Sequence, residues 1–184
     1  MKATRTLIAQ HRAIEALFME LARETRRHAR ARAASQLAEE LIAHMAGEEA
    51  IFYPAVRRMI GEALGPGESP GGATFDGSPA DGSSIDPHFM LRAQLRRVLA
   101  THVQAPAFQP RSEALRLLFA HHVEAEESGV FPRVEAALDD SQLETLGADV
   151  LGSRPPIWVV TTEAHAFIHS NGPAVRSVRL PALR

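Results

Sequence analysis

Apolar positions recur along this chain at steps of three and four, in four separate stretches. In the first, Leu7, Ile14, Phe18 and Leu21 share a face with His11, and the segment runs on into the arginine-rich "RETRRHARAR". Leu37, Leu41, His44, Glu48, Ile51 and Ala55 form the second stripe, and its helix is expected to fade near Gly61. The third stretch opens at Asp86-Pro87, a start signal with proline in the first helical turn, and directs His88, Leu91, Leu95, Val98 and His102 inward. From Ser112 onward the inward set is Leu115, Leu118, His122, Glu126 and Val130. Aromatic and β-branched residues are too sparse for a sheet, so the spacing predicts an all-α chain whose four helices bury one stripe each. Every stripe interrupts its apolar run with at least one histidine.

The connections are uneven. Residues 62–84, ending in "GPGESPGGATFDGSPADGSS", carry no apolar period and read as a flexible loop between the second and third helices, longer than compact bundles ordinarily use. Beyond the fourth helix, Ser141 and Glu144 have the spacing of a capping box, and a short fifth helix through about Leu151 is expected. The reading therefore divides the chain into a bundle over residues 1–150 and an irregular extension over 151–184, with "PPIWVV" extended and "TTEAHAFIH" a short outer helix.

Two of the histidines belong to a repeat. "HMAGEEAIFYPAV", His44 to Val56, faces "HVEAEESGVFPRV", His122 to Val134. Shared are the histidine, two consecutive glutamates beginning four places on, an aromatic residue before proline, and a closing valine. Residues four apart lie on one face of a helix, so each copy aims an imidazole and a carboxylate in the same direction. That direction is the apolar stripe, where a buried charge without a partner costs several kcal/mol or more. A His–Glu ion pair within each helix compensates part of this. With His11 and His88 on the other two stripes, the pattern points further, to four imidazoles and two carboxylates converging on one centre. Imidazole and carboxylate suit Fe, Mn, Zn and Cu, and carboxylates from two helices can bridge a pair of ions about 3.5–4 Å apart. The ferritin-like arrangement, with glutamate three places before histidine, occurs at none of the nine histidines.

These residues resemble the hemerythrin-like, or HHE cation-binding, domain. The resemblance covers about residues 1–150 and rests on the single histidines of the first and third helices and on the two His-x-x-x-Glu motifs followed by aromatic-Pro. It implies an antiparallel up-down four-helix bundle around two non-haem irons, with His11, His44, Glu48, His88, His122 and Glu126 at the ligand positions, and a small ligand such as O2, NO or peroxide. Manganese and zinc remain alternatives for the same donors. Two departures separate the chain from the oxygen-carrying members of that family: Arg92 stands four places after His88 where they have a fifth histidine, and Glu127 stands five places after His122 where they have aspartate. The resemblance therefore points to the glutamate-richer domains that sense iron or oxygen or handle iron. Binding or sensing is the favoured expectation over ferroxidase, peroxidase or catalase-like turnover, and a structural zinc or manganese site is a third reading.

Composition narrows the field without choosing within it. The 184 residues are 45% hydrophobic with a net charge of -2, which gives no general attraction to nucleic acid or anionic membrane. There is no cysteine, so disulfides, iron–sulfur ligation and thiolate zinc sites are excluded. No stretch has the length and apolarity of a membrane span, and a cytoplasmic location is expected; one lysine against nineteen arginines hints at a bacterial source. Among the remaining residues, His121 falls about 100° off the His122 stripe and reads as solvated. His102 lies about 21 Å along the helix from His88, too far for one centre, and reads as an inward or end-capping histidine. Tyr53 is expected to pack with Phe52 near a kink at Pro54, and Arg23 to Arg32 to form a solvated helix end. Glu49 and Glu127 face solvent or a neighbouring helix, or one of them ligates or orients an imidazole. His165 and His169 are spaced to grip a surface ion, and the extension is the expected surface for a protein partner or a second copy of the chain.

Overall fold

In the computed structural model, which describes residues 1–64 and 87–152, five helices account for nearly all of the described chain. Helix α1 is Ala3–Arg23. Helix α2 runs without a break through Arg27–Gly47, a π-helical turn Glu48–Phe52, and Tyr53–Leu64. Helix α3 is Pro87–Leu99. Helix α4 repeats the construction of α2, with Phe108–Ala125, a π turn Glu126–Val130, and Phe131–Ala137. Helix α5 is Asp140–Gly152. No strand occurs among the described residues, and no helix there is long and apolar enough to cross a membrane.

The arrangement is read from two apolar clusters. One gathers Ile14, Phe18, Leu37, Leu41, Leu91, Leu95, Leu115 and Phe119; the other gathers Leu7, Phe52, Val56, Val130, Phe131 and Val134 with Leu143, Leu146 and Val150 of α5. Numbering rises from the second cluster to the first along α1, runs back from the first to the second along α2 and α4, and along α3 leads from His88, beside Glu48, into the first cluster at Leu91 and Leu95, so the four helices run up-down-up-down. Burying each of these large side chains contributes roughly 1.5–3 kcal/mol. Between the clusters lies a polar layer in which His11, His44, Glu48, His88, His122 and Glu126 are all buried. Helix α5 packs along α1 and against the π turn of α2. Gly147 permits that approach, since a Cβ there would stand 2.1 Å from the Met1 carbonyl oxygen.

Several expectations need correction. The arginine run is not one solvated helix end: α1 stops at Arg23, the Glu24 carboxylate accepts the Arg26 N–H at 2.8 Å in the turn, and Arg27 already begins α2. Within that run Arg30 is half-buried, donating to the Val103 carbonyl at 3.1 Å with its guanidinium over the Phe108 ring. Helix α2 reaches Leu64, past Gly61. Helix α3 ends at Leu99, so His102 is not inward; it is exposed in the following turn, where its Nδ1 accepts the Gln104 N–H at 3.3 Å. Helix α4 begins four residues before Ser112. Its inward position is Phe119, fully buried, while Leu118 is half-buried. The capping box of α5 is Asp139 with Gln142, each side chain accepting the other's backbone N–H at 2.8 and 2.9 Å; Ser141 and Glu144 lie inside the helix. Residues 65–86, most of the expected loop, and 153–184, with the extended piece, His165 and His169, lie outside the described residues.

The π turns are the largest departure. Tyr53 donates its N–H to the Glu48 carbonyl and Phe131 to the Glu126 carbonyl, five residues back instead of four. Proline follows each of these donors and has no N–H for the ladder, and its ring crowds the carbonyl one turn earlier in a regular helix; a widened turn accommodates both. The extra residue moves the inward stripe on by one: Phe52 and Val56 are fully buried where Ile51 and Ala55 were expected, and those two are half-buried.

Candidate metal centre

Each helix delivers its polar side chain at the level where the two apolar clusters meet. His11 sits one turn from both Leu7 and Ile14 on α1, and His88 stands in the first turn of α3, one turn before Leu91. His44 and Glu48 lie one turn apart on α2, with Glu48 opening the π turn, and His122 and Glu126 repeat this on α4. One ligand atom each from His11, His44, Glu48, His122 and Glu126 lies within 4.8 Å of all the others, and the five residues are buried. His88 stands just outside this set, with its Nε2 3.2 Å from Glu48 Oε2.

The contacts interleave. Glu48 is 3.3 Å from His44 Nε2 and 3.6 Å from His122 Nε2, as well as touching His88. Glu126 is 3.1 Å from His11 Nε2 and 3.4 Å from His122 Nε2. The rings fall into two close pairs, His11 with His44 at 4.8 Å between centroids and His88 with His122 at 4.9 Å, and the two carboxylates lie between them.

A set of outer contacts turns the rings. His11 Nδ1 is 2.9 Å from Glu127 Oε1, His88 Nδ1 is 2.7 Å from Glu49 Oε1, and His44 Nδ1 is 3.0 Å from Gln10 Oε1. All three partners are acceptors, so each Nδ1 carries a hydrogen and each ring turns its Nε2 toward the centre. Arg12 and Arg92 hold the two outer glutamates, at 2.5 and 2.7 Å. Aromatic rings close the layer: Phe119 lies edge-on to His11 and His44, and Phe131 stacks on His11 at 5.9 Å. Tyr53 packs on Phe52 as expected, and its hydroxyl also donates to Glu126 Oε1.

The electrostatics of this cluster are those of a site short of positive charge. Burial, the neighbouring Glu126 and then Glu49 push the Glu48 carboxyl well above the usual carboxylate range. Burial pushes Glu126 the same way, but the approach of His11 at 3.1 Å, the proximity of His122 and the Tyr53 hydroxyl outweigh it and bring its value down to about 2. Burial, followed by the nearby His11 and His122, holds His44 well below the usual imidazole value, so that ring is neutral. Yet His11 Nε2, both oxygens of Glu48 and Glu126 Oε2 are buried with no hydrogen-bond partner. Each such atom costs about 1–3 kcal/mol or more. Four inward acceptor atoms in one dry layer fit a cation, which would satisfy all of them together.

Of the remaining histidines, His121 is exposed, as its helical angle requires. Gln10, Arg12 and Arg92 were missed, and no periodicity marks them; the repetition of Glu49 and Glu127 in the two motifs was the available signal for the partners of the two arginines, while Gln10 faces His44.

The hemerythrin HHE cation-binding domain, as a family, matches residues 2–134. The chain belongs to this hemerythrin family. Among solved structures it is similar to a hemerythrin HHE cation-binding domain-containing protein from Mycobacterium kansasii, with a TM-score of 0.63 over 92% of this chain and 93% of that one. The two are 18% identical, so the likeness concerns the fold. Comparison with curated proteins finds no match. Membership of the hemerythrin family and the buried His/Glu cluster together support a metal cofactor in this chain.

Proposed function

We propose that the chain is a non-haem di-iron protein that binds or senses O2, NO, peroxide or iron at the centre of its bundle. His11, His44, Glu48, His88, His122 and Glu126 are the residues assigned to hold the ions. The observation that carries this reading is the convergence of three pinned imidazoles with His122 and two carboxylates in one buried layer, where His11 Nε2, both oxygens of Glu48 and Glu126 Oε2 lack hydrogen-bond partners. Two carboxylates reached by histidines of different helices suit a pair of ions better than a single one. A bound iron pair supplies redox-active Lewis-acid positions for a small ligand. The chain's own contribution is to turn imidazole Nε2 atoms inward, to exclude water with Phe52, Phe119 and Phe131, and to hold a hydroxyl proton at Tyr53 Oη against Glu126.

That hydroxyl supports a second reading, in which the same centre turns over iron, O2 or peroxide in ferroxidase, peroxidase or catalase-like chemistry, because a donor beside the site is what turnover requires. Elemental analysis of protein purified without added metal is expected to give about two irons per chain; one zinc per chain would overturn the proposal. The ultraviolet–visible spectrum of the reduced protein before and after air then separates the readings. A band that appears and reverses on degassing indicates binding, whereas irreversible bleaching with consumption of peroxide indicates turnover.

A further inference from the structure

The second glutamate of each motif does not point at the centre. Glu127, on α4, reaches across to His11 on α1, and Glu49, on α2, reaches across to His88 on α3. These are the two ligand-position histidines whose own helices carry no glutamate of the motif. Each glutamate also meets an arginine from the same helix as the histidine it holds. Arg12, next to His11, takes Glu127 Oε2 while Oε1 takes the ring; Arg92, one turn after His88, takes Glu49 Oε1 together with the ring. A carboxylate on a flexible side chain at the edge of the protein, Glu49 being 41% exposed and Glu127 23%, would otherwise sample many rotamers. The arginine fixes its orientation and offsets its charge.

Resting on the di-iron reading, we infer that Glu49–Arg92 and Glu127–Arg12 are two crossed positioning clamps. Each reaches from a motif-bearing helix to the single histidine of its neighbour and sets that ring in the Nδ1–H tautomer with Nε2 turned inward for an ion. The connectivity is the same in both halves of the bundle, although Arg12 takes the carboxylate oxygen the ring leaves free, Arg92 takes the one the ring uses, and the arginines come from different helical offsets. The residue in place of the oxygen carriers' fifth histidine thus has a use of its own: Arg92 holds a carboxylate. His44 has a neutral acceptor, Gln10, in the corresponding position. Partners of this kind orient a ligand without touching the metal, and their loss typically weakens metal binding ~10–100-fold.

The test uses the full chain with 15N-labelled histidine, metal-free and loaded with Zn2+ as a diamagnetic probe. Wild-type spectra are expected to show His11 and His88 as Nδ1–H tautomers in both states. Glu127→Ala should scramble the tautomer of His11 and leave His88 unchanged, Glu49→Ala should do the reverse, and each should weaken zinc binding ~10–100-fold. Arg92→Leu should reproduce part of the Glu49→Ala effect, and Arg92→Lys should restore it. Glu49→Met and Glu127→Met keep the length without an acceptor and carry the comparison where the alanine variants lose their helical circular dichroism. Unchanged tautomers in folded variants, or equal disturbance of both rings by either substitution, would overturn the clamps. Failure of the wild type to take up any metal would instead overturn the proposed function, while the tautomers of the metal-free protein still decide the clamps.

Discussion

Helices α2 and α4 carry the same arm twice, and one hydroxyl at the residue before proline separates what the two arms do. In α2 that residue is Tyr53 and in α4 it is Phe131. The phenol of Tyr53 crosses to the other arm and donates to Glu126, whereas Phe131 has no hydroxyl to return to Glu48 and stacks instead on His11. Glu126, with His11, His122 and Tyr53 beside it, stays ionised; Glu48, fully buried and next to another carboxylate, is pushed toward its protonated form. Two motifs with the same ligand types thus offer carboxylates of unequal character. The difference shows that local sequence sets which groups converge, while the neighbours reached across the bundle set their charge.

The largest test of this inequality is metal content. Glu48→Ala and Glu126→Ala are each expected to lose at least one ion per chain by elemental analysis, and full stoichiometry in both variants would remove the bridging role. In chelator-treated protein at pH 7 the arms should then part company. Glu126→Gln removes an ionised, hydrogen-bonded group and is expected to destabilise by ~2–3 kcal/mol in urea unfolding. Glu48→Gln relieves a strained buried acid and is expected to stabilise by ~1–3 kcal/mol. Equal effects of one sign would break the comparison.

The pH dependence of the same metal-free protein follows from the directions. Glu126 lies below its ordinary 4.5 in the folded state, so its contribution is present above 4.5 and is lost as pH falls from there toward 2. Glu48 lies above its ordinary value, so its contribution is complete below 4.5 and is lost as pH rises through its folded value. His44 is depressed, and its contribution is present above 6.5 and lost on acidification. Unfolding measured from pH 7 down to 3 should therefore show an acid loss that Glu126→Gln flattens and Glu48→Gln leaves in place. The smallest expected effect is that of Tyr53→Phe. Loss of one hydrogen bond should cost about 1 kcal/mol and raise the Glu126 carboxyl, readable as an upward shift of the acid transition.

Much of this was legible in the chain. The steps of three and four located α1 and the first half of α2 closely, because Leu7, Ile14, Phe18 and Leu21 or Leu37 and Leu41 admit one helical phase. The histidines and glutamates of the polar layer stood out because they occupy positions that apolar residues should hold. What periodicity could not show was a change of period within a helix: Ile51 and Phe52 are both apolar, and only the hydrogen bond from Tyr53 back to Glu48 decides which faces inward. Helix ends were misplaced where two capping patterns overlap, as at Asp139 and Ser141, or where the ladder tightens without a sequence signal, as at Thr101, whose N–H turns to the Val98 carbonyl three residues back. The clamps depend on residues from two helices, and spacing along one helix carries no information about them.

The π turns have a consequence for how the chain tolerates insertion and deletion. Viewed as a screw thread, α2 and α4 each slip phase once, at the site, and everything beyond the slip is written for the new phase: Phe52 and Val56 in one arm, Val130 and Val134 in the other. Removing one residue from the turn closes the slip and leaves those same side chains inward on an unbroken thread. The second glutamate of each motif, Glu49 or Glu127, is one of the residues whose removal does so. A single-codon deletion there keeps all six residues assigned to the ions and costs one clamp, but it returns Pro54 or Pro132 to a regular turn whose carbonyl its ring crowds, so the length of each turn is bound to the proline that follows it.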